Sequence, residues 1–134
     1  MSDLRYGRRL ALRELIWGWL PPLLWMGLIF YLSAQPKLPS PPEPVLDLIL
    51  KKGAHFGVYA VLAFLWWRAL SQAKMSGWPA LGLAFVITVA YSLSDEYHQS
   101  FVPGRQHALS DVLIDAVGAA VALGMIGWQQ RRRG

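Results

Sequence analysis

No cysteine occurs in these 134 residues, which excludes disulfides, thiolate nucleophiles and thiolate metal sites. Alternation of apolar and polar residues is missing as well. The apolar runs are continuous, which argues against a membrane barrel. There is no long internal repeat and no HExxH metal-binding pair. The cysteine–arginine loop and the serine-glycine-histidine element of known phosphatases are also lacking, although His107-x-x-x-Asp111 reproduces one fragment of the lipid-phosphatase signature. What the chain does have is apolar mass: 54% hydrophobic residues, with seven Trp and nine Pro. That fits one domain and is too apolar for an ordinary soluble fold of this size. The formal charge of +5 does not point to nucleic acid. The basic residues gather beside apolar segments, where anionic lipid head groups attract them.

Four apolar segments stand out, at about residues 15–33, 54–70, 79–97 and 110–128. Each is near the length needed to cross a bilayer as a helix, and helices pair their own backbone groups in lipid. The expected fold is all-α: a polytopic membrane four-helix bundle formed by residues 1–134 as a single domain. Pro21-Pro22 is expected to kink or locally unwind the first helix. The basic leader and Leu32-Ser33-Ala34 have some look of a signal peptide, but the apolar run is longer than the usual h-region, so a retained helix is expected. Between the first two segments lies a long Pro-rich loop from Gln35, and Val45–Leu50 is expected as a short helix at the interface. Ser76-Gly77-Trp78-Pro79 reads as a tight turn.

Charge sets the expected orientation. The side holding both termini carries nine basic residues: Arg5, Arg8, Arg9, Arg13, Arg68, Lys74 and Arg131, Arg132 and Arg133. The other side carries four, namely Lys37, Lys51, Lys52 and Arg105. The positive-inside rule then places both termini in the cytoplasm and the Pro-rich loop outside. Trp66, Trp67, Trp78 and Trp128, with Trp17 and Trp19, are expected in the cytoplasmic belt. Tyr31 and Tyr97 are expected at the outer one.

Three polar clusters fall at the outer ends of these segments. Lys52, His55 and Tyr59 share a helix face at i, i+3 and i+7. Taken singly, they also fit a snorkelling Lys and an interfacial Tyr. Asp95, His98 and Gln99 share another face, flanked by Glu96; adjacent carboxylates beside a His suit general acid–base chemistry. A metal site from His55, His98 and Glu96 is chemically conceivable but weakly signalled, and no metal is expected. Val102-Pro103-Gly104-Arg105 reads as a turn presenting one Arg, either to balance charge or to clamp an anion. Asp111 and Asp115 lie one turn apart, and Asp115 should need Arg105, Lys52 or His55 as its partner. Gly118 and Ala122 form a small-xxx-small strip that suits close helix packing. Each ionisable group in a bilayer costs roughly 2.5–3.5 kcal/mol on insertion scales, so three clusters at one face read as a site.

Together, Lys52-x-x-His55-Phe56-x-x-Tyr59-Ala60-x-Leu62, Asp95-Glu96-x-His98-Gln99-x-Phe101-x-Pro103-Gly104-Arg105 and Asp111-x-x-x-Asp115-x-x-Gly118 resemble the VanZ-like membrane protein family. The resemblance covers roughly residues 50–124. Asp115 stands where the family pattern often has Asn. The resemblance implies a small multi-pass protein of the bacterial cytoplasmic membrane, and the family's namesake is associated with resistance to teicoplanin, a lipid-bearing glycopeptide.

Three functions compete. The first is an enzyme acting at the outer leaflet on a lipid or lipid-linked cell-envelope precursor. There Glu96 or Asp95 would act as base, His55 or His98 as proton shuttle, and Arg105 with Lys52 as anion clamp. Lys52, Tyr59, Gln99, Arg105, Asp111 and Asp115 would bind the substrate. The second is a non-catalytic module that binds or transports a lipid or glycopeptide, in its transport form as an oligomer. The third is a structural lock between short helices. Cofactors are unspecified by the sequence, and the expected partners are membrane lipids.

Overall fold

The computed structural model describes residues 2–36, 39–105 and 108–134. Lys37 and His107, both noted above, lie outside these described residues. The described residues form four α-helices: α1 (Ser2–Ser33), α2 (Pro44–Gln72), α3 (Gly77–Gln99) and α4 (Leu109–Arg133). All four are long and apolar enough to cross a membrane, and no strand occurs among the described residues. Short connections run the helices up and down in turn. The end of α1, the start of α2, the end of α3 and the start of α4 therefore meet at one end of the bundle.

The first helix starts earlier than its apolar segment and stays helical across Pro21-Pro22. The expected unwinding does not occur. Pro22 is fully buried, so its ring packs against the bundle and offsets part of the lost backbone bond. The second helix also starts earlier than expected. Glu43 accepts hydrogen bonds from the Val45 and Leu46 amides, and Pro44 occupies the first turn, where its missing N–H costs nothing. The stretch Val45–Leu50 is thereby the first two turns of α2 rather than a separate interfacial helix. Past α2, the chain turns at Lys74, where φ is +66°. Gly77 already opens α3, so the turn lies just before the Ser76–Pro79 stretch.

The core is built mainly from α2, α3 and α4, joined by Ile29 of α1. Leu62, Ala63, Trp66, Ala69 and Leu70 of α2 meet Ala80, Leu81 and Ala84 of α3 and Ala119 and Leu123 of α4. Small residues dominate because lipid gives no hydrophobic drive between helices, so close backbone packing must supply the attraction. Gly118 is the tightest point: a Cβ there would meet the Phe56 backbone of α2. Ala122 is only half-buried. The first helix lies against α2 and α3 and has no contact with α4 among the described residues. It is tied by the Trp25 indole donating to the Val58 carbonyl at 2.9 Å and by the Tyr91 hydroxyl donating to the Met26 carbonyl at 2.6 Å.

Trp66 corrects the belt expectation. It is 7% exposed and packs edge-on against half-buried Trp19 at 5.6 Å between ring centroids. The buried face of α2 recurs at Leu62, Ala63, Trp66 and Ala69, and helical periodicity carries Trp66 with it. Trp17, Trp78 and Trp128 are exposed. Arg131 sits over the Trp78 ring at 5.0 Å and Arg132 over Trp128 at 4.0 Å, which joins basic and aromatic residues at the end of the bundle opposite the polar clusters.

Gly118→Ala tests the α2–α4 approach. It should lower thermal stability in detergent by about 1–3 kcal/mol through overpacking. Gly82→Ala, where a Cβ meets nothing within 4 Å, should be neutral or slightly stabilising. Equal midpoints for the two variants would contradict the close contact.

Candidate functional site

The site begins with Asp115, which is 1% exposed and sits on the second turn of α4. Its Oδ1 lies 2.9 Å from His55 Nδ1 of α2, and its Oδ2 accepts from Ser92 Oγ of α3 at 2.6 Å. Each oxygen is therefore taken by a different helix. A carboxylate in an apolar interior needs such partners, because an unpaired one is costly. His55 was one of the three partners expected for Asp115. Its Nε2 has no hydrogen-bond partner among the described residues.

One turn deeper on α2, the Tyr59 hydroxyl donates to Asp95 Oδ2 at 3.0 Å. Gln99, one turn along α3, donates to the same oxygen at 3.2 Å and to Ser33 Oγ of α1 at 3.2 Å. This second network draws in the end of α1. Toward the surface, Lys52 Nζ forms an ion pair with Asp111 Oδ1 at the start of α4. The parallel course of α2 and α4 explains the register: Lys52 to His55 is one turn on α2, and Asp111 to Asp115 is one turn on α4.

Glu96 completes the group. It is 6% exposed, its Oε2 accepts from the Ala108 amide at 3.1 Å, and its Oε1 is buried without a hydrogen-bond partner among the described residues. A ring nitrogen of His55, a carboxylate oxygen of Glu96 and one of Asp111 all lie within 4.8 Å of one another. Asp95 likewise has a buried Oδ1 with no partner among the described residues. Two of the four carboxylates thus keep an open acceptor in a place where buried acceptors are normally satisfied.

Eight of the ten residues expected at the site come together: Lys52, His55, Tyr59, Asp95, Glu96, Gln99, Asp111 and Asp115. Two do not join. His98 stacks on Phe30 of α1 with ring centroids 4.5 Å apart, and it takes no part in the His55–Glu96–Asp111 group. The metal triad with His98 is therefore replaced by one with Asp111. Arg105 points its guanidinium to the Gln35 carbonyl at 3.4 Å and forms no ion pair among the described residues. It thereby joins the α3–α4 loop to the α1–α2 loop. The turn before it forms as expected: Gly104 has φ +76° and follows Pro103, the residue order of a type II turn.

Ser92 and Ser33 were not anticipated. Ser92 precedes Asp95 and Glu96 by three and four positions, so helical spacing alone could have put it on their face. Ser33 has no such signal, since its partner Gln99 comes from a distant helix.

The arrangement can do two things chemically. A His held by a carboxylate on one nitrogen and open on the other can relay a proton. A His ring beside two carboxylates can also hold a cation.

A family model described as VanZ/LLP1 matches residues 18–129. No curated protein and no solved structure matches the chain.

Tyr59→Phe should cost about 0.6–2 kcal/mol, because it leaves Asp95 with Gln99 as its sole hydrogen-bond donor. Thermal unfolding in detergent measures it. A variant as stable as the parent would mean that the hydroxyl does not serve Asp95.

Proposed function

The chain belongs to the VanZ/LLP1 family, and from that premise we propose that it acts on the head group of a lipid or lipid-linked cell-envelope precursor. On this reading it is a multi-pass protein of the bacterial cytoplasmic membrane whose polar site faces outward. The observation that carries the reading is the buried, unpaired Glu96 oxygen next to His55 and Asp111, at the end of an otherwise apolar bundle. Buried acceptors are normally satisfied, so an open one beside a His and an Asp favours a ligand over a purely structural lock.

The surroundings support an amphiphilic substrate. Leu46, Ile49, Tyr97, Phe101, Leu109 and Leu113 are exposed around the polar group, where acyl chains would lie while a head group meets His55 and Glu96. The charge asymmetry of the two loop sets supports the outward orientation. The reaction class is hydrolysis or group transfer at the head group, centred on His55, Glu96 and Asp111, with Asp115 holding His55 in position. The link to glycopeptide resistance of the teicoplanin type rests on the family resemblance. It follows here from an altered outer-leaflet target for a lipid-bearing drug.

Mass spectrometry of lipids tests this, in cells and in nanodiscs, comparing the parent chain with the His55→Ala, Glu96→Gln double variant. The expected result is one lipid or lipid-linked species chemically altered only by the parent. A species retained by the parent but unaltered would replace the reading with a binding or transport module. Identical lipid pools would remove both.

A further inference from the structure

We propose that His55, Glu96 and Asp111 bind one divalent transition cation of the zinc or manganese class, with Asp115 as the positioning residue for His55. The head-group role of that ion rests on the reading above; the binding itself does not.

Three observations lead to it. The first is proximity: one donor atom from each of the three residues lies within 4.8 Å of the other two, although the residues come from three different helices. Bonds of 2.0–2.2 Å in a tetrahedral site put donors about 3.4 Å apart, so the group needs to contract by at most about 1.4 Å to close on an ion.

The second observation is the buried Glu96 Oε1, which has no hydrogen-bond partner among the described residues. Its sister oxygen is held by the Ala108 amide, which fixes the carboxylate plane. A carboxylate fixed on one oxygen and open on the other, within reach of a His and an Asp, is what a metal ligand looks like before the metal.

The third is the state of His55. Metal-bound histidines nearly always give their second ring nitrogen to a carboxylate or carbonyl, which sets the tautomer and aims the ligating nitrogen. Asp115 does this at Nδ1, and Ser92 in turn holds Asp115. The chain Ser92–Asp115–His55 has no obvious use as a nucleophilic triad, since the serine bonds to the carboxylate and not to the imidazole. As a scaffold that orients the His55 ring, it is complete.

Charge points the same way. Asp95, Glu96, Asp111 and Asp115 lie together, and Lys52 is the only cationic side chain that forms an ion pair with any of them besides His55, among the described residues. Arg105 is engaged elsewhere. A site so rich in carboxylates would repel a phosphate- or carboxylate-bearing head group. A divalent ion reverses that and leaves open positions for an anionic oxygen. One imidazole and two carboxylates, with no thiolate available, suit zinc or manganese. Lys52, bonded to Asp111, holds the place that the ion takes and competes with it.

The test uses the full chain in lipid nanodiscs, stripped with chelator and titrated with Zn²⁺ or Mn²⁺ alone, with no substrate present. The expected result is one equivalent bound per chain by at least one of the two metals. Glu96→Gln and Asp111→Asn should each weaken binding at least tenfold, and Asp115→Asn about ten- to hundredfold. Lys52→Gln should tighten it, a change in the opposite direction from any loss of fold. Circular dichroism confirms that each variant is helical. Cobalt substitution of the parent chain needs no variant: Co²⁺ should show ligand-field bands displaced from those of the aqueous ion. No binding of either metal, or binding unchanged in both Glu96→Gln and Asp111→Asn, overturns the proposal, as does an aqueous-like cobalt spectrum. Metal bound without any lipid altered would remove the head-group reaction and leave the ion site standing. A lipid altered by the metal-stripped chain would remove the ion's head-group role and leave both the reaction and the binding measurement standing.

Discussion

Asp115 holds three helices at once. It sits on α4, takes His55 from α2 on one oxygen and Ser92 from α3 on the other, and has almost no contact with solvent or lipid. In an apolar medium a carboxylate cannot stay bare, since its desolvation costs several kcal/mol. The helices must therefore keep the rotation that presents His55 and Ser92 to it. Gly118, one turn further along α4, lets α2 come close enough for this, because its missing Cβ leaves room for the Phe56 backbone. The packing of small residues and the polar network thus require one another. Turning α4 by one residue would lose both the close approach and the Asp115 contacts.

The register of the whole polar end follows from that point. With α2 and α4 parallel, fixing His55 against Asp115 brings Lys52 to Asp111 and sets Glu96 of α3 between them. Tyr59, one turn below, then reaches Asp95, and Gln99 carries the network to Ser33 at the end of α1. The polar side chains lie in two layers. The lower layer is mostly satisfied and locks the helices. The upper one contains the open Glu96 oxygen and the exposed face of Lys52, and it is the layer that meets the surroundings.

Much of this was legible in the sequence, because charges in apolar helices are few and their spacing is helical. Lys52, His55 and Tyr59 on one face, or Asp111 and Asp115 one turn apart, need no coordinates to be read. The failures have particular causes. His98 shares the turn of Asp95 and Gln99, but its ring finds Phe30, and sequence spacing gives no sign of an aromatic on another helix. Arg105 lies on a loop, where the direction of a side chain has no periodicity to reveal it. Ser92 and Ser33 are small and uncharged; serines in apolar helices often bond only to their own backbone, so neither stood out. Trp66 was placed at the interface by residue type, whereas its helical phase put it in the core. Although Glu43-Pro44 is a good helix opening, Val45–Leu50 was read as a separate short helix at the end of the Pro-rich loop rather than as the start of α2.

The length of α2 bears on the lipid itself. Its 29 residues span about 43 Å, while the 23 residues of α3 span about 35 Å. The excess lies at the polar end: α2 continues fifteen residues outward from Tyr59, whereas α3 continues only four from its partner Asp95. Val45, Leu46, Leu48, Ile49 and Leu50 line this overhang and are exposed. The molecule therefore has two hydrophobic heights at its polar end. A bilayer that covers the overhang stands too tall for α3, so it must slope across the bundle or tilt α2, at a cost of fractions of a kcal/mol per Å. The slope descends toward Glu96 and Asp111. Membrane thickness, through this hydrophobic mismatch, thereby sets how deep the carboxylates sit below the head groups.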